Sequence, residues 1–228
     1  YGYLSWIRIQ VLVSEIRIQA LVSKIRIFDF GQSIQIFGYV SGYFAKINES
    51  LSEASGMVLD ISKLLHFVRA SIAEREQVPK SCCQATECHY FRGRYRAGAA
   101  NAKKLLFAER KFEDELIEND VIFHYKHLRE INGEIIEKGI DVWFALEAYE
   151  LATIRQFDYV VLVTGDADHE MLIKKLKALK IKVVLLTGDF GEHSATSKLL
   201  SEEAFYHVDL GALIAEHPEL LNKLCNKA

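Results

Sequence analysis

The sequence predicts an α/β fold in which helices cover both faces of a central, mainly parallel sheet. Strand patterns alternate with helical patterns of about ten residues, and two of the strands run directly into acidic turns. Half of the chain, 50% of 228 residues, is hydrophobic, which is enough to fill the core of one substantial domain. These three observations favour a three-layer α/β domain.

The clearest strand is Tyr159–Val163, a run of apolar and β-branched residues. It stops at Thr164-Gly165-Asp166-Ala167-Asp168, and Glu170–Leu179 follows as a helix with leucines on one stripe and lysines on the other side. Ligands bind at the carboxyl ends of strands in open α/β sheets, so these two carboxylates are placed for chemistry. Asp-x-Asp by itself is also typical of ordinary acidic turns and helix caps.

The N-terminal segment carries a nine-residue repeat. Copies begin at Ile7, Ile16 and Ile25, and a fainter fourth copy begins at Ile34. Alternation within the copies favours short strands. They form either a pairing or membrane-surface segment or, as we prefer, an extension with no chemistry of its own. Residues 42–56 are rich in Ser, Glu, Asn and Gly and indicate a linker with one short helix, so residues 1–50 are predicted to be a repeat-bearing extension and linker.

Further strand and helix patterns complete the domain. Met57–Leu59 is a predicted strand that ends in Asp60, with a helix behind it over residues 61–72. Strands are also predicted over 82–90, 121–125, 181–188 and 205–210, helices over 101–119, 142–153 and 197–203, and a C-terminal helical tail over 213–228.

Charge and cysteine content limit the classes of partner. The net charge of −3 and the pI of about 6.3 give no global basic field, so an anionic partner has to be met by local patches. The four cysteines lack the paired spacing of zinc sites; Cys88-His89 is a faint indication of a metal, and free reduced thiols are preferred. No apolar run reaches the roughly 18 residues of a spanning helix, and no signal peptide opens the chain. We therefore expect a cytoplasmic protein with no membrane partner, and the composition leaves a homo-oligomer open.

The order of these segments resembles the NYN domain of the PIN-like nuclease superfamily, in its LabA-like group. The resemblance spans residues 57–212, and its most specific parts are Lys138-Gly139-Ile140-Asp141-Val142 and Thr164–Asp168. It implies a Rossmann-like (PIN-like) domain over 57–212 that cleaves RNA, single-stranded or structured, with Mg²⁺ or Mn²⁺.

The resemblance also implies site residues. The expected catalytic acids are Asp60, Asp141, Glu147, Asp166 and Asp168. Asp60, Asp166 and Asp168 are expected to hold the metal, while Glu147 or Asp141 completes the shell or orients the attacking water. Taken alone, Asp141 is more typical of a helix cap. Substrate contacts are expected from Lys63, Thr164, Arg92, Arg94, Arg96 and Lys174, although the three arginines also suit a solvated loop.

The chain departs from the family pattern at two positions. Members usually carry Asn three residues after the first Asp, where this chain has Lys63, and an aromatic residue after the terminal acidic pair, where it has His169. Lys63 would take over part of the metal's role or bind phosphate. His169 either donates to a phosphate or, as we prefer, caps the following helix. Asp29 is an alternative first acid, because it also ends a β-like run and has a carboxamide, Gln32, three residues on.

Two functions follow from these residues. The preferred one is a metal-dependent ribonuclease that hydrolyses RNA phosphodiester bonds at an acidic cluster. The alternative is a catalytically weakened or inactive module that binds RNA or a protein partner. A phosphatase or phosphotransferase is disfavoured, because Leu59–Ser62 lacks the second Asp of a haloacid-dehalogenase-like nucleophile loop.

Overall fold

A computed structural model of the chain describes residues 33–102, 104–188, 190 and 198–227, with the side chains of residues 100–102 left out. The repeat copies that begin at Ile7, Ile16 and Ile25, and the alternative first acid Asp29, lie outside the described residues.

Six strands of the described residues form one parallel sheet. They are β1 (Ile34–Val40), β3 (Cys83–Arg94), β4 (Val121–His127), β7 (Tyr159–Val163), β8 (Lys182–Thr187) and β9 (Tyr206–Asp209). The spatial order is β4-β3-β1-β7-β8-β9, and every neighbouring pair is parallel. The predicted α/β class with a central parallel sheet is confirmed.

The position of β1 differs from the sequence-based expectation. This strand is the fourth copy of the repeat, inside the segment expected to be an extension, and it lies in the middle of the sheet between β3 and β7. All of its residues except Gln35 are buried. A local pattern does not show whether a strand lies at the centre of a sheet or outside it, because that depends on which segments pair with its two edges.

A second difference concerns β2 (Met57–Leu59). The expectation that this segment is a strand of the main sheet is wrong, because it pairs antiparallel with β10 (Cys225–Lys227) in a separate two-stranded sheet. The C-terminal segment accordingly forms two helices, α8 (Leu210–Glu216) and α9 (Glu219–Leu224), and then this strand. A hairpin of β5 (Arg129–Ile131) and β6 (Glu134–Ile136) follows β4, where the sequence pattern indicated no strand.

Helices form the outer layers. They are α1 (Tyr43–Ser55), α2 (Ile61–Glu76), α3 (Ala97–Ala102), α4 (Leu106–Glu118), α5 (Ile140–Ile154), α6 (Glu170–Ala178) and α7 (Lys198–Glu203), followed by α8 and α9. The helix α1 occupies most of the predicted linker. Among the described residues, none of these helices is long and apolar enough to cross a membrane.

The core on one face of the sheet joins strands β1, β3 and β7 to helices α5 and α6. Phe37 and Tyr39 of β1 lie there with Phe91 of β3, Phe144 of α5 and Ile173 of α6, and all five are almost completely buried. Because all six strands run in the same direction, their carboxyl ends lie along one edge, where ligand sites of parallel sheets are found.

Candidate active site

An open cavity of about 680 Å³ lies at the carboxyl ends of β1 and β7. We call it the acidic cavity, because three carboxylates and one lysine of the described residues line it. Its polar lining includes Ser41, Tyr43, Lys46, Glu137, Asp141 and Asp166. The structure thus brings two of the five expected catalytic acids, Asp141 and Asp166, to one site.

Strand β7 positions Asp166 through a tightly bonded turn. Thr164 is fully buried at the end of the strand, and its hydroxyl accepts a hydrogen bond from the Asp166 backbone N–H at 3.2 Å. The Asp166 carboxylate in turn accepts from the Asp168 N–H at 3.0 Å, which starts a 3₁₀ turn over Ala167–His169. Asp166 lines the acidic cavity and Asp168, although exposed nearby, does not. Thr164 therefore supports the turn and also lies in the lining of the acidic cavity, so the substrate contact expected of it stays a prediction.

His169 lies beneath this turn. It is 1% exposed, its Nδ1 is 2.8 Å from the Thr164 hydroxyl, and its ring centroid is 4.6 Å from that of Phe144. Burial lowers its pKa, against the opposing effect of the Asp166 carboxylate. Although its backbone stands at the N-cap position of α6, its side chain makes no capping hydrogen bond to that helix. The imidazole instead packs against the Phe144 ring in the interior and is hydrogen-bonded to the Thr164 hydroxyl.

The turn after β1 packs directly onto the turn after β7. Ser41 donates its hydroxyl to the Val163 carbonyl at 3.1 Å and accepts from the Tyr43 N–H at 3.2 Å. A Cβ on Gly165 would lie only 2.8 Å from the Tyr43 ring, so glycine is required for this close approach. The two strand ends therefore form one wall of the acidic cavity.

The start of α5 supplies the second expected acid. Gly139, with φ of +75°, is the N-cap, and Asp141 lies in the first turn, so the prediction that Asp141 caps this helix is wrong. Glu147 lies nearly two turns further along and its carboxylate accepts from the Trp143 indole N–H at 3.1 Å. Glu147 is not among the residues that line the acidic cavity.

Asp60 and Lys63 belong to a different part of the molecule. Asp60 caps α2 by accepting from the Lys63 N–H at 2.9 Å, and its second oxygen accepts from the Asn226 side-chain amide at 2.7 Å. The Lys63 ammonium donates to the Cys225 carbonyl at 2.8 Å. These contacts tie α2 to β10, and neither residue lines the acidic cavity.

The expected substrate cations differ in how far they are already paired. Arg92 and Arg94 lie in β3, so the solvated-loop interpretation is wrong for them. The Arg92 guanidinium is 3.5 Å from the Glu109 carboxylate. Arg94 makes two contacts, of 3.0 and 3.1 Å, to the Glu113 carboxylate. Lys174 pairs with Glu170 on the same helix, which raises its pKa. Arg96 is exposed and has no hydrogen bond or ion pair within the described part of the chain.

Sequence reasoning missed Glu137 and Lys46. Glu137 precedes the Lys-Gly segment, and its carboxylate accepts from the Gly93 N–H beside the acidic cavity. Lys46 lies in the first turn of α1, which follows the strand that was assigned to the extension. The signal that would have found Lys46 is the strand–turn–helix order of β1 and α1.

Comparisons with known proteins agree with this fold. The family model of the NYN domain matches residues 30–211, so the match includes β1 and ends in the first turn of α8. The chain also resembles the crystal structure of a protein of unknown function, VPA0982, from Vibrio parahaemolyticus RIMD 2210633, with a TM-score of 0.55 and 18% identity over 79% of this chain and 94% of that one. No curated protein matches the chain.

The solved structure supports the fold alone, because its identity to this chain is low. The family match covers most of the chain, including both strands whose ends form the acidic cavity. The chain therefore belongs to the NYN domain family of the PIN-like nuclease superfamily.

Proposed function

We propose that this protein is a metal-dependent ribonuclease that hydrolyses RNA phosphodiester bonds in the acidic cavity. The observation that carries the proposal is the meeting of three carboxylates beside the carboxyl edge of a parallel sheet: Asp166 follows β7, Glu137 precedes α5, and Asp141 lies in the first turn of α5. Members of this family are generally ribonuclease-like, which supports the same assignment.

The carboxylates suit a magnesium or manganese ion that keeps most of its water ligands, and not an ion enclosed entirely by protein ligands. The described residues contain no group of three or more His, Cys, Asp or Glu side chains close enough to hold a metal together. Mg²⁺ usually takes one or two carboxylates and fills its other positions with waters and phosphate oxygens, for which a cavity of about 680 Å³ has room. Asp141 and Asp166 are the residues that would hold it. A bound ion supplies a water of lowered pKa and neutralises charge that develops on the phosphate.

The remaining residues position the substrate and the carboxylates. Lys46 is the one cation in the described lining of the acidic cavity, and its ammonium group is available to a phosphate oxygen there. Thr164 and His169 keep Asp166 in place from below. The metal roles expected for Asp60 and Asp168 are not part of this proposal, since neither carboxylate lines the acidic cavity.

A second candidate function is a module that binds RNA without cleaving it. It is favoured by the end of β1, where Tyr39-Val40-Ser41-Gly42 contains no acid although the family pattern has one at the end of the first strand. Asp60 does not replace that acid, because its two oxygens are bonded to the start of α2 and to Asn226.

The deciding experiment is cleavage of a labelled single-stranded RNA with Mg²⁺ or Mn²⁺. We expect Asp166→Asn and Asp141→Asn to lower the rate by about a hundredfold or more, because each removes a charge that a divalent ion needs. Asp114→Asn, at a position of α4 outside the acidic cavity, is the matched control and should retain the parent rate. A folded parent that binds RNA but cleaves it with neither metal would establish the second candidate instead.

A further inference from the structure

A second cavity, of about 320 Å³, lies at the carboxyl ends of β3 and β4 beside the start of α4. We call it the arginine cavity. Its lining includes Arg94, Arg96, Arg110, Tyr95, His127 and Glu109. It is separate from the acidic cavity, and the mechanism proposed above makes no use of it.

Two guanidinium groups of the arginine cavity, those of Arg96 and Arg110, have N–H donors that no carboxylate of the described residues accepts from. Arg94 is engaged by Glu113, with contacts of 3.0 and 3.1 Å. Arg110 is 61% exposed and lies 3.7 Å from the same carboxylate, beyond hydrogen-bond distance. Arg96 is exposed and unpaired within the described part of the chain. Guanidinium groups with free N–H donors are suited to phosphate.

One acceptor in this lining is buried and unsatisfied. Glu109 is 7% exposed, and its Oε1 lies 3.5 Å from Arg92, but its Oε2 has no hydrogen-bond partner within the described residues. Leaving a buried carboxylate oxygen unpaired is costly, so a ligand that brings a donor gains by binding here. A ribose 2′-hydroxyl is such a donor, and DNA lacks it.

The arginine cavity adjoins the acidic cavity along the end of β3. Glu137 lines the acidic cavity and accepts from the Gly93 N–H, while the next residue, Arg94, lines the arginine cavity. The exposed ring of Tyr125 lies at the same strand ends, with the Arg94 guanidinium 4.8 Å from its centroid. A nucleotide strand that crosses this edge would meet both cavities in succession.

We propose that the arginine cavity binds one ribonucleotide of the RNA strand next to the cleavage position. Arg96 and Arg110 bind its phosphate, and the Glu109 carboxylate accepts from its 2′-hydroxyl. The proposal rests on the proposed function in taking RNA as the ligand, and it adds a site that selects RNA over DNA without a metal.

The test is binding of a short fluorescent single-stranded RNA, and of DNA of the same sequence, in EDTA at about 0.1 M salt. We expect the parent to prefer RNA about tenfold. The double variant Arg96→Ala/Arg110→Ala should bind RNA about tenfold more weakly, and the slope of its affinity against salt should be shallower by about 0.7 for each phosphate that is no longer neutralised.

A second double variant is the matched control. Lys198→Ala/Lys223→Ala also removes two cations, at positions that do not line the arginine cavity, and should bind RNA like the parent. Equal affinity of the parent for RNA and DNA, or equal weakening by both double variants, would overturn the proposal.

Cleavage assays separate this proposal from the proposed function. With Mg²⁺ or Mn²⁺, the arginine double variant should raise KM by the factor seen in binding and leave kcat unchanged. If the parent binds RNA as expected but does not cleave it, the ribonuclease assignment is wrong and the proposed role of the arginine cavity is retained. If the parent cleaves RNA and the arginine double variant has the same RNA affinity and KM as the parent, the proposed role of the arginine cavity is wrong and the ribonuclease assignment is retained.

Discussion

His89 and His124 form a hydrogen-bonded pair in the interior, at 2.8 Å between Nδ1 and Nε2. His89 is 3% exposed, and its Nε2 lies 3.1 Å from a Glu87 oxygen. Burial lowers the pKa of both rings, and the carboxylates of Glu87 and Glu147 oppose this effect. Two imidazoles that share one hydrogen bond cannot both be protonated without breaking it, so the pair resists full protonation in the folded protein.

This pair should make stability depend on pH. In the unfolded chain a histidine has a pKa of about 6.5, and in the folded chain the pKa of each ring is lower, so below about pH 6.5 the unfolded state binds more protons. The free energy of unfolding should therefore fall as the pH falls from about 7 to about 5, by at most about 1.4 kcal/mol per pH unit for each histidine. Urea unfolding at several pH values measures this slope.

Substitution of one ring identifies the source of the slope. His124→Phe should keep the stacking on Phe91, where the ring centroids are 4.3 Å apart, and give a shallower decline of stability below about pH 6.5. His66→Gln changes a histidine on the outer side of α2 and should leave the parent slope intact. An unchanged slope in His124→Phe would show that other groups cause the acid sensitivity.

At the scale of elements, the contact between α2 and β10 explains why an acid at the end of a strand does not line the acidic cavity. Asp60 follows β2 and caps α2, and Asn226 of β10 completes its hydrogen bonds. An N-cap that also bonds to a second segment has a structural function sufficient to account for the residue.

Asp60→Ala should therefore destabilise the protein without disabling the site. We expect the free energy of unfolding to fall by about 1–2 kcal/mol, because the variant removes a helix cap and a bond to Asn226 together. Metal-dependent cleavage per folded molecule should stay close to that of the parent, whereas Asp166→Asn should lower it by about a hundredfold or more. Asn226→Ala removes only the side-chain amide that donates to Asp60, so it should lower the free energy of unfolding by less than Asp60→Ala. Strongly reduced cleavage by folded Asp60→Ala would contradict this prediction and show that Asp60 takes part in catalysis.

At the scale of the whole molecule, the sheet depends on β1. This strand joins β3 to β7 and thereby connects the two halves of the sheet. Phe37 of β1 is 2% exposed and stacks on Phe157, with ring centroids 3.5 Å apart. A strand in this position contributes to the stability of everything packed on both of its edges.

Phe37→Ala should consequently be among the most damaging substitutions. We expect a decrease of about 3–5 kcal/mol in the free energy of unfolding, the usual range for removing a buried aromatic side chain. Ile131→Ala, at a residue of β5 that is 43% exposed, should change stability by less than about 0.5 kcal/mol. Similar small effects of both variants in urea unfolding would mean that β1 is not part of the core.

Sequence pattern determined the α/β class and the strand β7 with its acidic turn, whereas the choice of Asp141 and Asp166 as site residues came from the resemblance to the NYN domain. The first two features are local, since a run of apolar residues followed by an acidic turn and an amphipathic helix can be recognised without knowing its neighbours. The same local signals predicted a strand at Met57–Leu59 correctly but not its partner.

Only the tertiary structure decided which strand lies at the centre, and with it which residues complete the acidic cavity. The pairing of β1 with β3 and β7 brings Ser41 and Lys46 beside Asp166, and the path of the chain before α5 brings Glu137 there from a distant part of the sequence. Strand pairing and burial depend on contacts between distant segments, which no local periodicity encodes. For that reason Asp60, the acid that pattern favoured, caps a helix at the C-terminal strand, while Glu137, which pattern passed over, lines the acidic cavity.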